Sequence, residues 1–327
     1  LHLLSRRQRQ MCIRDRMNSL QQSERYRHLN NYLKNKFGER TLKICIDGNF
    51  TCPNRDGTKG TSGCIFCSER GSGEHISCNH IPSSTESIKS QVLNYFSSYK
   101  ANRANKFIAY FQNFTNTYDT IPNLKAKYDS ALIDNRIVGL SIATRPDCIN
   151  EDITKLIKSY SNNYYVCVEL GLQTSNDDTG NLICRGYTSK DFTNAVSILN
   201  KYDIDCIAHI MVGLPNETEN DIQNTVTFLN NHNIQGLKIH STYVIKNTTL
   251  ADWYYSGKYT PISLDFYLKN LSYIITHISP EIIIHRISGD APKDLLIAPD
   301  WNLHKKWILN GFDKLMAEQN LYQGLYY

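Results

Sequence analysis

From about residue 40 onward, short apolar runs alternate with segments whose apolar residues recur every three or four positions, the periods of strand and helix. Strand-like runs lie at 42–47, 106–111, 137–142, 165–170, 206–212 and 237–243. Helical periodicity falls between them at 84–99, 123–135, 150–160, 188–202 and 217–232, and again at 263–278. Several helices open on cap signals: Ser84 ahead of Glu86, Asn150 ahead of Glu151 and Asp152, Ser189 ahead of Asp191, and Asn216 ahead of Glu217. A repeated strand–helix order requires parallel pairing, because each right-handed crossover needs a helix. Six such units predict an α/β fold, a partial (β/α)6 TIM-like barrel open on one side. A seventh apolar run at 281–286 would extend it, and a short C-terminal helix at 303–318 leads into a tyrosine-containing tail.

With 327 residues, 41% of them hydrophobic, the chain can bury one large core. No repeat, low-complexity tract or linker marks off a second domain. The expected division is a leader at 1–16, an N-terminal helix within 17–40, a core barrel at 41–300, and a C-terminal helix and tail at 301–327. The net charge is +5, but residues 1–16 hold five arginines against one aspartate and supply +4 of it. That leader reads as non-native or disordered sequence ahead of Met17. The remainder is nearly neutral, so it offers no surface footprint for nucleic-acid phosphates. Ten cysteines at irregular spacing, with no apolar signal segment, favour a reducing, cytoplasmic setting over a disulfide framework. No run of about eighteen apolar residues is present, so no membrane span is expected.

In barrels of this kind chemistry gathers at the carboxyl ends of the strands. The unusual polar residues follow that rule. They are Gln112-Asn113-Phe114-Thr115-Asn116-Thr117 after the second strand, Thr144-Arg145-Pro146-Asp147 after the third, and Glu169 and Gln173 at the fourth. Gly213-Leu214-Pro215 follows the fifth strand, and His240 and Tyr243 lie at the sixth. His240, His285 and Arg286 are expected to face the cavity where a substrate lies, with Tyr243 placed to donate a hydrogen atom or to stack on a ring.

The loop after the first strand carries Cys52, Cys64 and Cys67 in a glycine-rich stretch. A closed zinc or cubane site needs four protein ligands, and three thiolates are one short. The pattern therefore suggests a [4Fe–4S] cluster with one open iron. A zinc site completed by Cys45, Cys78, His75 or His80 is the competing reading, and with it a zinc-binding nucleic-acid or adaptor protein without catalysis. The other cysteines, Cys45, Cys78, Cys148, Cys167, Cys184 and Cys206, read as small buried hydrophobes.

The segments 52–67 (CPNRDGTKGTSGCIFC), 110–118 (YFQNFTNTY), 143–149 (ATRPDCI), 169–174 (ELGLQT), 209–218 (HIMVGLPNET), 236–244 (GLKIHSTYV) and 285–299 (HRISGDAPKDLLIAP) resemble the YhcC-like branch of the radical S-adenosylmethionine (SAM) enzymes. This branch is related to the elongator catalytic-subunit, methylthiotransferase and nitrogenase-cofactor enzymes. The wide Cys52–Cys64 interval departs from the commoner C-x3-C-x2-C but matches this branch. The resemblance implies a radical SAM barrel whose Cys52, Cys64 and Cys67 each bind one iron, while the fourth iron chelates SAM. Reductive cleavage of SAM would then give a 5′-deoxyadenosyl radical acting on an unidentified substrate. It further implies that Phe66, Gly213 and Pro215 pack around adenine. Arg185 would grip the SAM carboxylate, Gln112, Thr115 and Asn116 would meet its amino or carboxylate group, and Glu169 and Gln173 would bond the ribose. The implied partners are a flavodoxin- or ferredoxin-type electron donor and a small-molecule, protein or tRNA substrate.

Overall fold

The computed structural model describes residues 24–71 and 85–327. The leader 1–16, the cap residue Ser84, and His75, Cys78 and His80 lie outside the described residues. The elements run α1 (Leu29–Phe37), β1 (Thr41–Ile46), α2 (Thr85–Ser97), β2 (Lys106–Phe111), α3 (Ile121–Ala131), β3 (Ile137–Thr144), α4 (Glu151–Ser159) and β4 (Tyr165–Gln173). They continue with α5 (Asp177–Leu182), α6 (Ser189–Lys201), β5 (Asp205–Val212), α7 (Glu219–Asn230), β6 (Gly236–Ser241), β7 (Val244–Ile245) and α8 (Thr249–Tyr255). The last are α9 (Leu264–His277), β8 (Ile283–Arg286), β9 (Leu296–Ala298) and α10 (Lys305–Glu318).

Seven strands pair in parallel in the order β1-β2-β3-β4-β5-β6-β8, so the seventh apolar run does extend the six-unit barrel. Side chains alternate across each strand. Ile44 and Ile46, Phe107 and Phe111, Leu140 and Ile142, Val168 and Leu170, Ala208 and Ile210, and Leu237 and Ile239 join one apolar core with the helices. The intervening positions face the lumen. Lys43 on β1 and Lys238 on β6 both bond the Glu169 carboxylate on β4. In a flat sheet β1 and β6 would stand about 24 Å apart at the usual spacing between strands. The shared carboxylate therefore requires the sheet to curl, which makes the architecture the partial barrel read from the sequence.

Caps were only partly legible. Asn150 accepts from the Ile153 N–H at 2.9 Å, as expected. α6 and α7 instead use capping boxes one and two residues from the expected positions, Thr188 with Asp191 and Thr218 with Asp221. Asn216 sits at φ +63° in the turn before its helix. The short helices α5 and α8, and the β7–β9 antiparallel pair, carry too little periodicity to have been predicted. α1 contacts both edge strands, β1 and β8. The tail is stitched beneath them, with Gln323 Nε2 donating to Ser279 O at 2.8 Å and Ile282 O at 2.7 Å.

Leu170 is fully buried between the sheet and its helices. Leu170→Ala is expected to lower the unfolding free energy by about 2–5 kcal/mol in urea titrations. A loss below about 1 kcal/mol would contradict this packing.

Candidate active site

The loop that leaves β1 folds back on itself before it reaches Cys64. The Cys52 carbonyl accepts from Arg55 N at 2.7 Å and Asp56 N at 3.1 Å, and Gly63 N donates to Asn54 O at 2.8 Å. Cys67 N donates to Cys64 O at 3.0 Å and closes the tight turn between them. Arg55 Nη2 spans the loop to Cys67 O at 2.8 Å and Ser68 O at 2.7 Å. The loop is also docked on the segment after α5. Asn54 Nδ2 donates to Cys184 O at 2.7 Å and Arg185 O at 2.9 Å, and lies 3.8 Å from Cys64 Sγ. Gly186 is required there, because at φ +75° a Cβ would stand 2.4 Å from Asn54 Oδ1.

Arg145, after β3, reaches the same place. Its Nη1 is 3.9 Å from Cys52 Sγ and 3.0 Å from Arg185 O, while Nε and Nη2 each bond Asp147 at 2.9 Å. Burial pushes the Cys64 thiol up to about 12, with Cys67 and Cys52 adding to the rise and Arg145 and Asn54 opposing it. Such a thiol stays protonated at neutral pH unless a metal cation draws its proton off. Among the described residues, no three His, Cys, Asp or Glu side chains gather closely enough to hold a single metal ion. A cubane differs in giving each thiolate its own iron. Cys52 and Cys67 lie close enough to Cys64 to raise its pKa, and N–H donors are aimed at Cys64 and Cys52, a set of thiols of the kind that such a cluster uses. Arg145 was expected at this end of the barrel but was given no role, and Asn54 was not singled out from the sequence.

Arg185 departs from expectation. It is fully buried, and its guanidinium donates to Tyr187 O at 3.0 Å, Leu172 O at 2.5 Å, Thr174 O at 2.6 Å and Asp177 Oδ1 at 2.8 Å. These bonds fasten the end of β4 to the turn beneath the cysteine loop and leave no bidentate fork for a ligand carboxylate. The Tyr187 ring lies between the Arg145 and Arg185 guanidiniums, at 4.7 and 4.9 Å. Its hydroxyl donates to Gly171 O at 2.8 Å and contacts Gln173 Oε1 at 2.7 Å, which orients Gln173 at its φ of +60°.

The polar residues after β2 are buried with atoms left unpaired. Both amide atoms of Asn113, Thr115 Oγ1 and Asn116 Oδ1 have no partner among the described residues. Asn116 Nδ2 bonds Ala143 O at 2.7 Å, so that side chain is partly a strut between β2 and β3. Gln112 N reaches Ile46 O at 3.4 Å across the strand ends. Orphaned buried polar atoms are costly unless something completes them. Across the barrel mouth, Gly213 (φ +90°) accepts from Tyr259 OH at 2.8 Å, Pro215 is buried, and Phe66 packs with Met211, Trp253 and Tyr254 on a small apolar cluster. Those residues form an apolar wall beside the loop.

The lumen holds a second polar assembly. Glu169 Oε1 accepts from Lys43 Nζ at 2.5 Å and Ser141 Oγ at 2.8 Å. Its Oε2 accepts from Tyr110 OH at 2.8 Å, pairs with His209 Nε2 at 2.8 Å, and accepts from Lys238 Nζ. Six successive strands thus contribute one side chain each, and the ribose contact expected of Glu169 gives way to this hub. The desolvation that would raise Glu169 is outweighed by Lys238 and Lys43, which hold its carboxyl well below the usual range. Burial opposes the charge on Lys43, but the pair with Glu169 prevails and its pKa is raised. Lys238 is drawn down to about 8 by burial, only partly offset by Glu169, and His209 is drawn down to about 4 by burial and by Lys238.

His240 stacks tilted against His209 with ring centres 5.4 Å apart, and its Nε2 has no partner among the described residues. His285 Nδ1 is likewise unpaired, and burial pushes both imidazoles well below their ordinary pKa. Arg286 is paired with Asp290 at 3.3 Å. The Tyr243 ring lies where a Cβ on Gly289 would come within 3.3 Å of it. Cys167 and Cys206 are buried as expected, whereas Cys45 and Cys184 are exposed, Cys45 because its lumen-facing position is open to solvent. The signal for the hub was present in the sequence as Lys43 and Lys238, each a lysine inside an otherwise apolar strand.

The radical SAM superfamily profile matches residues 54–229, and the profile of the Radical_SAM C-terminal domain matches 234–318. The chain belongs to the radical SAM superfamily, and is a radical SAM enzyme. Within that class it is YhcC-like, being 32% identical over 270 residues to YhcC of Escherichia coli K12, which covers 82% of this chain and 85% of that one. It is 36% identical over 306 residues to YtqA of Bacillus subtilis, 93% of each. The solved structure of Elp3 from the archaeon Methanocaldococcus infernus superposes with a TM-score of 0.62 at 16% identity, over 86% of this chain and 64% of that one. That likeness shows a shared fold. Radical SAM enzymes in general use SAM and a [4Fe–4S] cluster and need a reductant. No helix among the described residues is long and apolar enough to cross a membrane.

Two outcomes follow from these bonds. Arg185→Met takes the guanidinium donors from the Leu172, Thr174 and Tyr187 carbonyls, of which Leu172 O keeps Thr174 N, and is expected to cost about 2 kcal/mol or more in denaturant titration, whereas a cost below about 1 kcal/mol would show that the clamp is not structural. Glu217, after β5, has a buried, unpartnered Oε1, and burial lifts its carboxyl from 4.5 to about 7, with Asp221 adding to the rise. A folded-state pKa above the unfolded one means stability is intact below 4.5 and falls as pH rises through about 7. Glu217→Gln should abolish that decline. Parallel melting-temperature profiles for the two proteins would contradict it.

Proposed function

We propose that Cys52, Cys64 and Cys67 hold a [4Fe–4S] cluster, one thiolate to each of three irons, and that SAM occupies the fourth. The observation that carries this reading is the cysteine loop itself. Three sulfurs come from one loop, with Asn54 and Arg145 N–H groups directed at two of them. Beside it, the orphaned amide of Asn113 and hydroxyl of Thr115 lack the partner that a bound amino acid moiety would supply. When bound, the cluster and SAM supply one-electron reductive cleavage of the S–C5′ bond, giving methionine and a 5′-deoxyadenosyl radical, with the electron drawn from a ferredoxin- or flavodoxin-type donor.

The chain's own residues bind, orient and exclude water. Asn113 and Thr115, with Gln112 and Asn116 on the same loop, meet the amino and carboxylate groups of SAM. Gln173, held by Tyr187, is suited to the ribose, and Phe66, Gly213 and Pro215 border the adenine. Arg185 acts as a positioning residue, since it holds the loop that bears the ligands. His240, His285 and Arg286 face the substrate from β6 and β8, with Tyr243 alongside.

Anaerobically purified protein should carry about four irons per chain and cleave SAM on reduction. Cys64→Ala should lose both while its far-ultraviolet dichroism stays near wild type. Asn113→Ala should keep its iron and weaken SAM binding about tenfold, the loss of one or two buried hydrogen bonds. A protein holding about one zinc, or a Cys64→Ala variant that retains its iron, would overturn the reading.

A further inference from the structure

We infer that the lumen around Lys43 and Lys238 is an anion site that receives a carboxylate or phosphate group of the substrate. This rests on the proposed function insofar as the lumen is where the substrate lies, and it adds the chemical class of what lies there. The geometry is a count of charges and donors. Two ammoniums, on β1 and β6, share one carboxylate, Glu169. Arg286 brings no negative charge that could offset the lysines, since the carboxylate it meets, Asp290, is shared with Lys305 at 3.0 Å. One positive charge is therefore left in a largely buried layer, where a cation lacking a counter-charge is costly.

Each ammonium also has a donor in hand. An ammonium offers three N–H groups. Those of Lys43 go to Glu169 and Ser141, and those of Lys238 to Glu169 and Tyr110, so among the described residues the third on each has no hydrogen-bond acceptor, only the Tyr110 ring 4.5 Å from each ammonium. Orphaned groups of kinds that can donate lie beside them and past the ends of β6 and β8. Thr242 Oγ1 and Ser288 Oγ are fully buried without partners, and His240 Nε2 and His285 Nδ1 are unpaired on imidazoles that are neutral in this environment. A neutral polar substrate would satisfy the hydroxyls but leave the charge standing. An anionic group satisfies both.

The layer is reachable. Lys43 and His209 retain partial exposure, and Cys45, two residues above Lys43 on the same face of β1, is open to solvent. The chain body is nearly neutral outside residues 1–16 and offers no wider basic surface, so the anion is read as a small molecule or a single end group.

The test is isothermal titration of full-length, anaerobically purified protein with inorganic phosphate, with succinate, and with glycerol as an uncharged control, in low-chloride buffer. At least one anion should bind and glycerol should not. Phosphate alone binding assigns a phosphate group, and succinate alone a carboxylate. Lys238→Met should weaken binding about tenfold or more, and Glu169→Gln, which removes the competing carboxylate, should tighten it. Lys43→Met, which leaves Glu169 paired with Lys238 alone and so removes the uncompensated charge, should weaken it likewise and stands in if Lys238→Met does not fold. Failure of both anions to bind, or unchanged binding by a folded lysine variant, overturns the inference. The titration needs neither iron nor SAM. Iron present without anion binding sinks this inference alone, whereas anion binding by a protein that takes up no iron sinks the cluster reading alone.

Discussion

The Arg185 guanidinium, sealed from solvent, ties the last carbonyls of β4 to the turn that receives the cysteine loop. The backbone it fixes is the backbone that Asn54 and Arg145 grip from above, through the carbonyls of Cys184 and Arg185. Loop segments carry few hydrogen bonds of their own, so a loop that must hold three sulfurs in register borrows rigidity from the sheet. Here the chain of contacts runs from strand end to arginine, from arginine to turn, and from turn to loop. Gly186 has no side chain because the Asn54 amide occupies that space. A positively charged group buried this deeply is tolerated because its donors are met by carbonyls and by Asp177.

The lumen obeys a different economy. The outer face of the sheet is continuous with the helices and largely apolar, whereas the inner face carries Lys43, Tyr110, Ser141, Glu169, His209 and Lys238 at one level. Such a layer is an expensive way to fill a barrel, since apolar residues of similar volume pack there at less cost. The proposed anion site would account for that cost. The same low-dielectric walls that make unpaired charge costly also strengthen contacts to a ligand that supplies the missing one.

Much of this was visible in the sequence. Strand starts fell within two residues of their observed places because fully buried parallel strands give unbroken apolar runs, and the crossover helices between them were unmistakably periodic. The cysteine loop and its position after β1 were also legible. What could not be read was which polar residues face ligand and which face protein. Arg185 and Glu169 have the right chemistry for a carboxylate and a ribose, but three-dimensional proximity gives them Leu172, Thr174 and Asp177 in one case and two lysines in the other. Asn54 and Arg145 look like turn residues until the loop is seen docked against residues 184–186. Caps at Thr188 and Thr218 were missed by one or two positions because Ser, Thr and Asn are near-equivalent at helix starts.

The account stands or falls on whether one iron at the cysteine loop is left for SAM. Mössbauer spectroscopy of 57Fe-reconstituted protein, recorded anaerobically with and without SAM, addresses this directly. The account predicts a [4Fe–4S] signal in which SAM alters one iron of the four and leaves three unchanged. A spectrum indifferent to SAM, or one altered equally at all sites, would contradict it.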